Sequence, residues 1–287
     1  MIYLLLSIVF SVITVSFFKL FEKYGVHTFS AIVLNYISCV ILGNISGEYA
    51  VSLSPFYNEP WFLDTLVLGA LFISIFMSIG LTAQKLGVSV SMLAAKLSVV
   101  VPVCVAFFLY DETITPLKLT GILLSMVAVY LISKKEDVLH VHPLYILLPV
   151  AVFAGSGMID TLLKHVEKTY IPPANATSIV TTVFLMASVW GSAAWLVMKI
   201  AGKSLPLSKK EVVWGLALGL PNYFSMYFLV RTLSHFSEAS RIFPINNIGI
   251  AASTTLVGVL IFHEKISRLN LAGIILAVIA IVLISFT

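Results

Sequence analysis

The chain has 287 residues, 60% of them hydrophobic and only 10% charged, with a net charge of +4. A mean hydropathy of +1.06 is far above that of soluble domains. It marks an integral membrane protein, leaves little chain for a soluble domain, and offers none of the basic stripe that a nucleic-acid partner requires.

A membrane-spanning helix needs about 20 mostly apolar residues. Ten such runs occur, near 2-18, 27-46, 62-84, 87-110, 116-133, 143-163, 175-199, 211-233, 238-262 and 266-286. The first has neither a basic leading segment nor a small-residue cleavage site, so it is expected to be a retained helix and not a signal peptide. The second run contains Asn35, Tyr36 and Cys39, and the third Ser74 and Ser78. The fourth, "SMLAAKLSVVVPV" at its centre, carries Lys96, Pro102 and Cys104. Both cysteines lie within apolar runs and are expected to act as packing. The sixth run holds Asp160, the one acid expected inside the bilayer. The eighth, "LGLPNYFSMYFLVRTL", places Pro221, Asn222, Tyr223, Ser225 and Tyr227 within a few turns. The ninth, "RIFPINNIGIAASTT", has Arg241, Pro244, Asn246 and Asn247.

The segments 111-133 and 263-285 are identical at 11 of 23 positions, including Glu112 with Glu264 and Gly121 with Gly273. With a slightly shorter shift, "KLFEK" (19-23) matches "KHVEK" (164-168), and Leu68-Gly69 matches Leu218-Gly219. The chain is thus expected to be an all-α membrane protein of ten transmembrane helices, with a first five-helix repeat at 1-137 and a second at 138-287. Five crossings end a unit on the side opposite its start, so the second copy must be inverted. Inverted repeats are typical of secondary transporters, whose halves exchange conformations around a midplane site.

Under this repeat Lys96 falls opposite Asn246 to Ile248 in the most polar stretch of the ninth helix. A lysine at mid-membrane costs roughly 2.5 to 3.5 kcal/mol on insertion scales and usually faces a cavity or a partner. Three readings stand for Lys96: it lines a substrate cavity, it pairs with Asp160 or a carbonyl, or it snorkels. Tyr223 and Tyr227 share a face at i, i+4, as cavity hydroxyls or as packing. The candidate substrate-binding residues are Lys96, Asn246, Asn247, Asn222, Tyr223, Tyr227 and Ser78. Asp160 is a candidate proton-coupling group or ion-pair partner. Pro102, Pro221 and Pro244 are candidate gating kinks, since each removes a backbone donor. The pair Gly215 and Gly219 forms a G-x-x-x-G expected to pack helices.

The stretch "F-x-x-L-Y-D-E-x-I-x-x-x-x-L-x-G" (107-121), its second copy "V-x-I-F-H-E-K-I-x-x-x-x-L-x-G" (259-273), and Pro102 ten residues before the first Glu carry a resemblance to the drug/metabolite transporter superfamily. The chain resembles its ten-helix EamA-type members over essentially its whole length. That resemblance implies alternating-access transport of a small polar metabolite across the cell or inner membrane, with export the expected direction. Amino acids, sugars, nucleotide-type metabolites, phosphorylated sugars and drugs are all carried within the superfamily. One departure is visible: the position matching Pro102 falls within Ala252 to Thr254, where there is no proline. The first run also lacks the acidic group on which the small cation exporters of the superfamily rely. The lone cation at Lys96 favours an amino acid or another anionic or zwitterionic solute.

A membrane enzyme is disfavoured by the lack of H-E-x-x-H and D-D-x-x-D signatures, and direct ATP drive by the lack of a P-loop; no catalytic residue or cofactor is expected. The six histidines lie in or beside expected loops without metal-ligand spacing, so no metal is expected either. The expected partners are a small solute, the bilayer and, as a coupling ion, protons. Lys and Arg are concentrated in the odd-numbered loops, with Lys199, Lys203, Lys209 and Lys210 around the loop after helix 7. This places that loop in the cytoplasm and both termini outside. A cysteine at Lys209 should therefore resist a membrane-impermeant thiol reagent in intact cells; labelling from outside would reverse the orientation.

Overall fold

A computed structural model of the chain describes residues 1–46, 58–86, 94–110, 115–133, 147–170, 176–203, 205–236, 239–261 and 267–285. These residues contain ten helices and no strand: α1 (Ile2–Tyr24), α2 (Thr28–Ser46), α3 (Phe62–Leu86), α4 (Val100–Tyr110), α5 (Pro116–Ser133), α6 (Leu147–Tyr170), α7 (Ala176–Ile200), α8 (Lys209–His235), α9 (Ala239–Leu260) and α10 (Arg268–Ser285). Six of them, α1, α2, α3, α6, α7 and α8, are long and apolar enough to cross a membrane. Glu112, Glu264 and the joint between the sequence halves lie outside the described residues.

Polar side chains within these helices bond backward to their own backbone. Thr14 donates to the carbonyl of Phe10 at 3.0 Å, Ser16 to Val12 at 2.8 Å, and Thr182 to Ser178 at 2.8 Å. Each hydroxyl is thereby satisfied without water.

Two expected boundaries move. Helices α1 and α6 run on through "KLFEK" and "KHVEK", so Lys19, Lys23, Lys164 and Lys168 are helical and not loop charges. The reason is amphipathic: Phe21 is 1% exposed on the one, and Val166 is fully buried on the other. His165 is likewise helical, with its ring against Tyr170. Asp160 consequently lies ten residues before the end of α6, well inside a helix.

The described chain divides into two compact units, Met1–Ser74 with His165–His235, and Ile75–Lys164 with Phe236–Thr287. Each draws on both sequence halves.

In the first unit α1 and α8 run antiparallel. Tyr24 stacks on Trp214 at one end, while Tyr3 stacks on Phe228 at the other. Helix α2 lies parallel to α8 and approaches it closely along Gly215 and Gly219. A Cβ on Gly215 would sit 2.8 Å from the Ala31 carbonyl oxygen, and one on Gly219 2.9 Å from that of Asn35. The G-x-x-x-G therefore works as a packing seam, as expected. Serine and cysteine of α2 add bonds to this seam: Ser38 donates to the Leu216 carbonyl at 2.9 Å and Cys39 to that of Gly219 at 3.3 Å.

The polar ends of this unit are tied as firmly. Gly25, at φ 61°, turns the chain out of α1, and Val26 N–H reaches back to the Phe21 carbonyl at 2.8 Å. That left-handed cap suits glycine, which has no Cβ to clash. Lys210 then donates to the carbonyls of Tyr24 and Gly25 at 3.2 and 2.7 Å. Its neighbour Glu211 accepts from the His27 N–H at the entry to α2 and from Ser208 at the entry to α8. Ser208 and Glu211 form a capping box, and the two charges sit at the helix ends whose dipoles they oppose.

A second pattern runs through the same unit. At a shift of 148 residues Gly43 corresponds to Gly191, Val33 to Thr181, Tyr36 to Phe184 and Ser38 to Met186. Gly43 packs on Thr181, while Gly191 packs on Val33. Tyr36 stacks on Phe184, its own counterpart. Gly69 packs on Met186, and its counterpart Gly219 packs on Ser38. Contacts thus come in exchanged pairs.

In the second unit α5 and α10, the duplicated pair, pack antiparallel. A Cβ on Gly121 near the start of α5 would lie 2.7 Å from Ile284 near the end of α10. Helix α9 packs on α4, α5 and α10. Helix α6 seats Ile75 of α3 against Gly155 and Val101 of α4 against Gly157.

Replacing Gly219 with Leu should drive α2 from α8 and cost about 2 kcal/mol or more, in line with overpacked cores. Thermal denaturation in detergent reads this, with Gly202→Leu, whose surroundings are open, reporting the strain of a lost left-handed glycine alone.

Candidate functional site

Lys96 lies at the end of a helical segment that stops at Leu97; a turn at residues 98 and 99 separates it from α4. Pro102 explains the break. It has no N–H to offer the Ser98 carbonyl and its ring crowds that oxygen. The Ser98 carbonyl instead accepts from Val101 N–H at 2.9 Å, a tighter three-residue closure, and the Ser98 hydroxyl turns back to the Ala95 carbonyl at 2.6 Å. A cation at the C-terminal end of a helical segment is favoured by its dipole. Pro102 thus acts at a distance of one turn, on the residues next to Lys96.

From this break the Lys96 ammonium donates to Asn247 Oδ1 of α9 at 3.2 Å. The Asp160 carboxylate of α6 is near enough to interact with the Asn247 side chain and with the Lys96 ammonium, whose opposite charge attracts it. Three helices each contribute one polar group to a single cluster. Lys96 and Asp160 are half-buried, while Asn246 and Asn247 are 5% and 7% exposed. The position that the repeat sets opposite Lys96 is the one that Lys96 touches.

Gly157 makes the approach of α6 possible. It lies three residues before Asp160 on the same helix face, and a Cβ there would sit 2.6 Å from that of Val101. No pattern in the sequence singles out Gly157. Only its neighbour across the helix pair shows why a side chain would not fit.

Of the other candidates, Ser78 belongs to the same unit as Lys96, half-buried on α3, with its carbonyl accepting from Thr82 at 2.6 Å. Pro244 lies within a continuous α9. It is the sixth residue of that helix, past the first turn, so it removes one intrahelical donor. Pro221 likewise lies within a continuous α8.

Asn222, Tyr223 and Tyr227 belong to the other unit. Asn222 Nδ2 donates to Asn35 Oδ1 at 3.2 Å and lies 3.9 Å from Cys39 Sγ, so it joins α8 to α2. Tyr223 is fully buried between Phe184, Phe224 and Tyr227. The Tyr227 hydroxyl accepts from Arg231 Nε at 3.1 Å, and the guanidinium also covers its ring. Asn222 and Tyr223 thus meet groups of α2 and α7, while Tyr227 meets Arg231 and aromatic rings of its own helix. Of the two cysteines, Cys39 packs as expected, whereas Cys104 is exposed on α4. Among the described residues no group of three or more His, Cys, Asp or Glu is placed to hold a metal.

No family model matches the sequence. An uncharacterised protein of Haemophilus influenzae is 27% identical over 288 residues, covering 97% of this chain and 95% of its own length. A protein of known crystal structure aligns with a TM-score of 0.79 at 15% identity, over 99% of this chain and 96% of that one. At that identity the likeness is one of fold.

The cluster makes a double-mutant prediction. Asp160→Leu alone should destabilise the protein by about 3 kcal/mol, because a cation loses its counter-charge in apolar surroundings. Adding Lys96→Met should restore much of that loss. Additive thermal shifts would mean that the two charges do not interact.

Proposed function

We propose that this chain is a secondary carrier of the drug/metabolite transporter type, moving a small polar solute with an anionic or zwitterionic head by alternating access, in the direction of export. The observation that carries the reading is the exchanged pairing of contacts: Gly43 with Thr181 against Gly191 with Val33, and Gly69 with Met186 against Gly219 with Ser38. A contact and its exchanged copy arise when two halves of a sequence are related by a two-fold axis. The stack of Tyr36 on Phe184 is its own exchanged copy and marks a point near such an axis. The antiparallel packing of α5 on α10 is the arrangement that inverted copies require.

An inverted repeat has a mechanical consequence. Each half can adopt the conformation of the other, and a site framed by both is then open to one side or the other. The Lys96 cluster supplies chemistry for such a site. An ammonium at a helix break, among apolar helices, selects for a carboxylate or phosphate in the solute. Broken helices lining a polar site recur in transporters because the freed backbone can be satisfied there.

Purified protein in liposomes provides the test. Preloading with an unlabelled amino-acid mixture should accelerate uptake of labelled members of that mixture, and uptake should saturate. Lys96→Gln should lower the uptake of carboxylate-bearing solutes by about tenfold or more while sparing neutral ones. Linear, non-saturable flux without counterflow would make the protein a pore and overturn the carrier reading.

A further inference from the structure

We infer that Lys96 and Asp160 form a two-point site for the zwitterionic head of an α-amino acid, Lys96 taking the carboxylate and Asp160 the ammonium group, with the Asn247 carboxamide spanning the two charges when no substrate is bound. The inference rests on the carrier reading above and narrows its substrate class. It gives Asp160 a direct role in recognition.

The geometry of Asn247 carries the assignment. Its Oδ1 accepts from the Lys96 ammonium at 3.2 Å, and the Asp160 carboxylate, an acceptor, lies within reach of the same side chain, which has only its Nδ2 donor left to offer. The carboxamide therefore turns its acceptor to the cation and its donor to the anion. An α-amino acid presents the same two functions, a carboxylate oxygen and an ammonium N–H, one bond further apart than the oxygen and nitrogen of a carboxamide. It carries them as full charges of the complementary sign. Charge-assisted hydrogen bonds are stronger than those of a neutral amide, so the substrate head can take over both contacts.

Other solute classes fit this arrangement less well. A simple carboxylate or phosphate satisfies Lys96 but brings like charge against Asp160. A cation has the converse problem. A neutral sugar engages neither charge at full strength. With a zwitterion the site is electrically balanced both empty and loaded, which matters where an unbalanced charge is costly. Lys96 and Asp160 are half-buried as whole residues, whereas Asn247 is 7% exposed.

Binding to the purified full chain, followed by thermal shift and calorimetry, tests this with alanine, leucine and phenylalanine, each also as its methyl ester and its N-acetyl derivative. At least one free amino acid should bind, and blocking either end should weaken it by about tenfold or more, as a site built for a group rejects analogues that lack it. In Asp160→Asn the N-acetyl form should bind within roughly threefold of the free amino acid, and in Lys96→Gln the same should hold for the methyl ester. The wild-type comparison decides the matter alone should either variant fail to fold. If N-acetyl amino acids bind wild type as tightly as free ones, and do so through Lys96, the two-point site falls while the anion-carrier reading stands. Failure of all three amino acids to bind also overturns it, and the counterflow assay then decides the carrier reading separately.

Discussion

A polar group that lies away from water in the described helices is costly unless it finds a partner inside the protein, and much of their architecture follows from that constraint. It explains why Thr14, Ser16 and Thr182 fold back onto their own helices. It explains why Lys210 and Glu211, adjacent on α8, close the end of α1 and the start of α2. The same requirement governs the break before α4. Once Pro102 deprives Ser98 of a donor, the backbone closes through Val101, and Lys96 is left at the end of a helical segment with a charge to satisfy. Asn247 and Asp160 then meet that need from two other helices.

The glycines act as the complement of this polar economy. Wherever a helix pair must come close, a Cβ is missing: Gly215 and Gly219 between α8 and α2, Gly121 between α5 and α10, Gly157 between α6 and α4. Close backbones allow a short side chain such as Ser38 or Cys39 to reach a carbonyl on the next helix. They also fix where a longer one can reach, as Gly157 does for Asp160. Gly157 and Asp160 act together, although only Asp160 has chemistry of its own.

The two polar clusters differ in kind. Asn35, Asn222 and Cys39 are neutral and buried, and they bind α2 to α8 as an interior joint. Lys96, Asn247 and Asp160 include two charged residues that are half-buried. A neutral buried amide pair serves cohesion at modest cost. A half-buried charge pair is costly to keep for cohesion alone, since apolar residues of similar size would serve as well, and that cost is the physical reason to look for function there.

Hydropathy determined the helices, because a run of about 20 apolar residues has few alternatives in lipid; α5, expected at 116–133, is found there to the residue. The duplication likewise set Lys96 opposite the stretch Asn246 to Ile248, which contains its partner Asn247. Boundaries at charged ends were less legible: "KLFEK" and "KHVEK" read as loops until Phe21 and Val166 were seen to be buried. Hydropathy averages over a window and cannot detect a face. The sequence placed Asp160 near a helix end and grouped Tyr223 and Asn222 with Lys96 by polarity alone. Tertiary packing set Asp160 beside Lys96, one of the readings the sequence left open, and Asn222 against Asn35, in the other unit. The reason is that polarity is a property of one residue, whereas partnership depends on which backbones can approach. That was settled by absent side chains at Gly157, Gly215 and Gly219, whose meaning appears only when the facing helix is present.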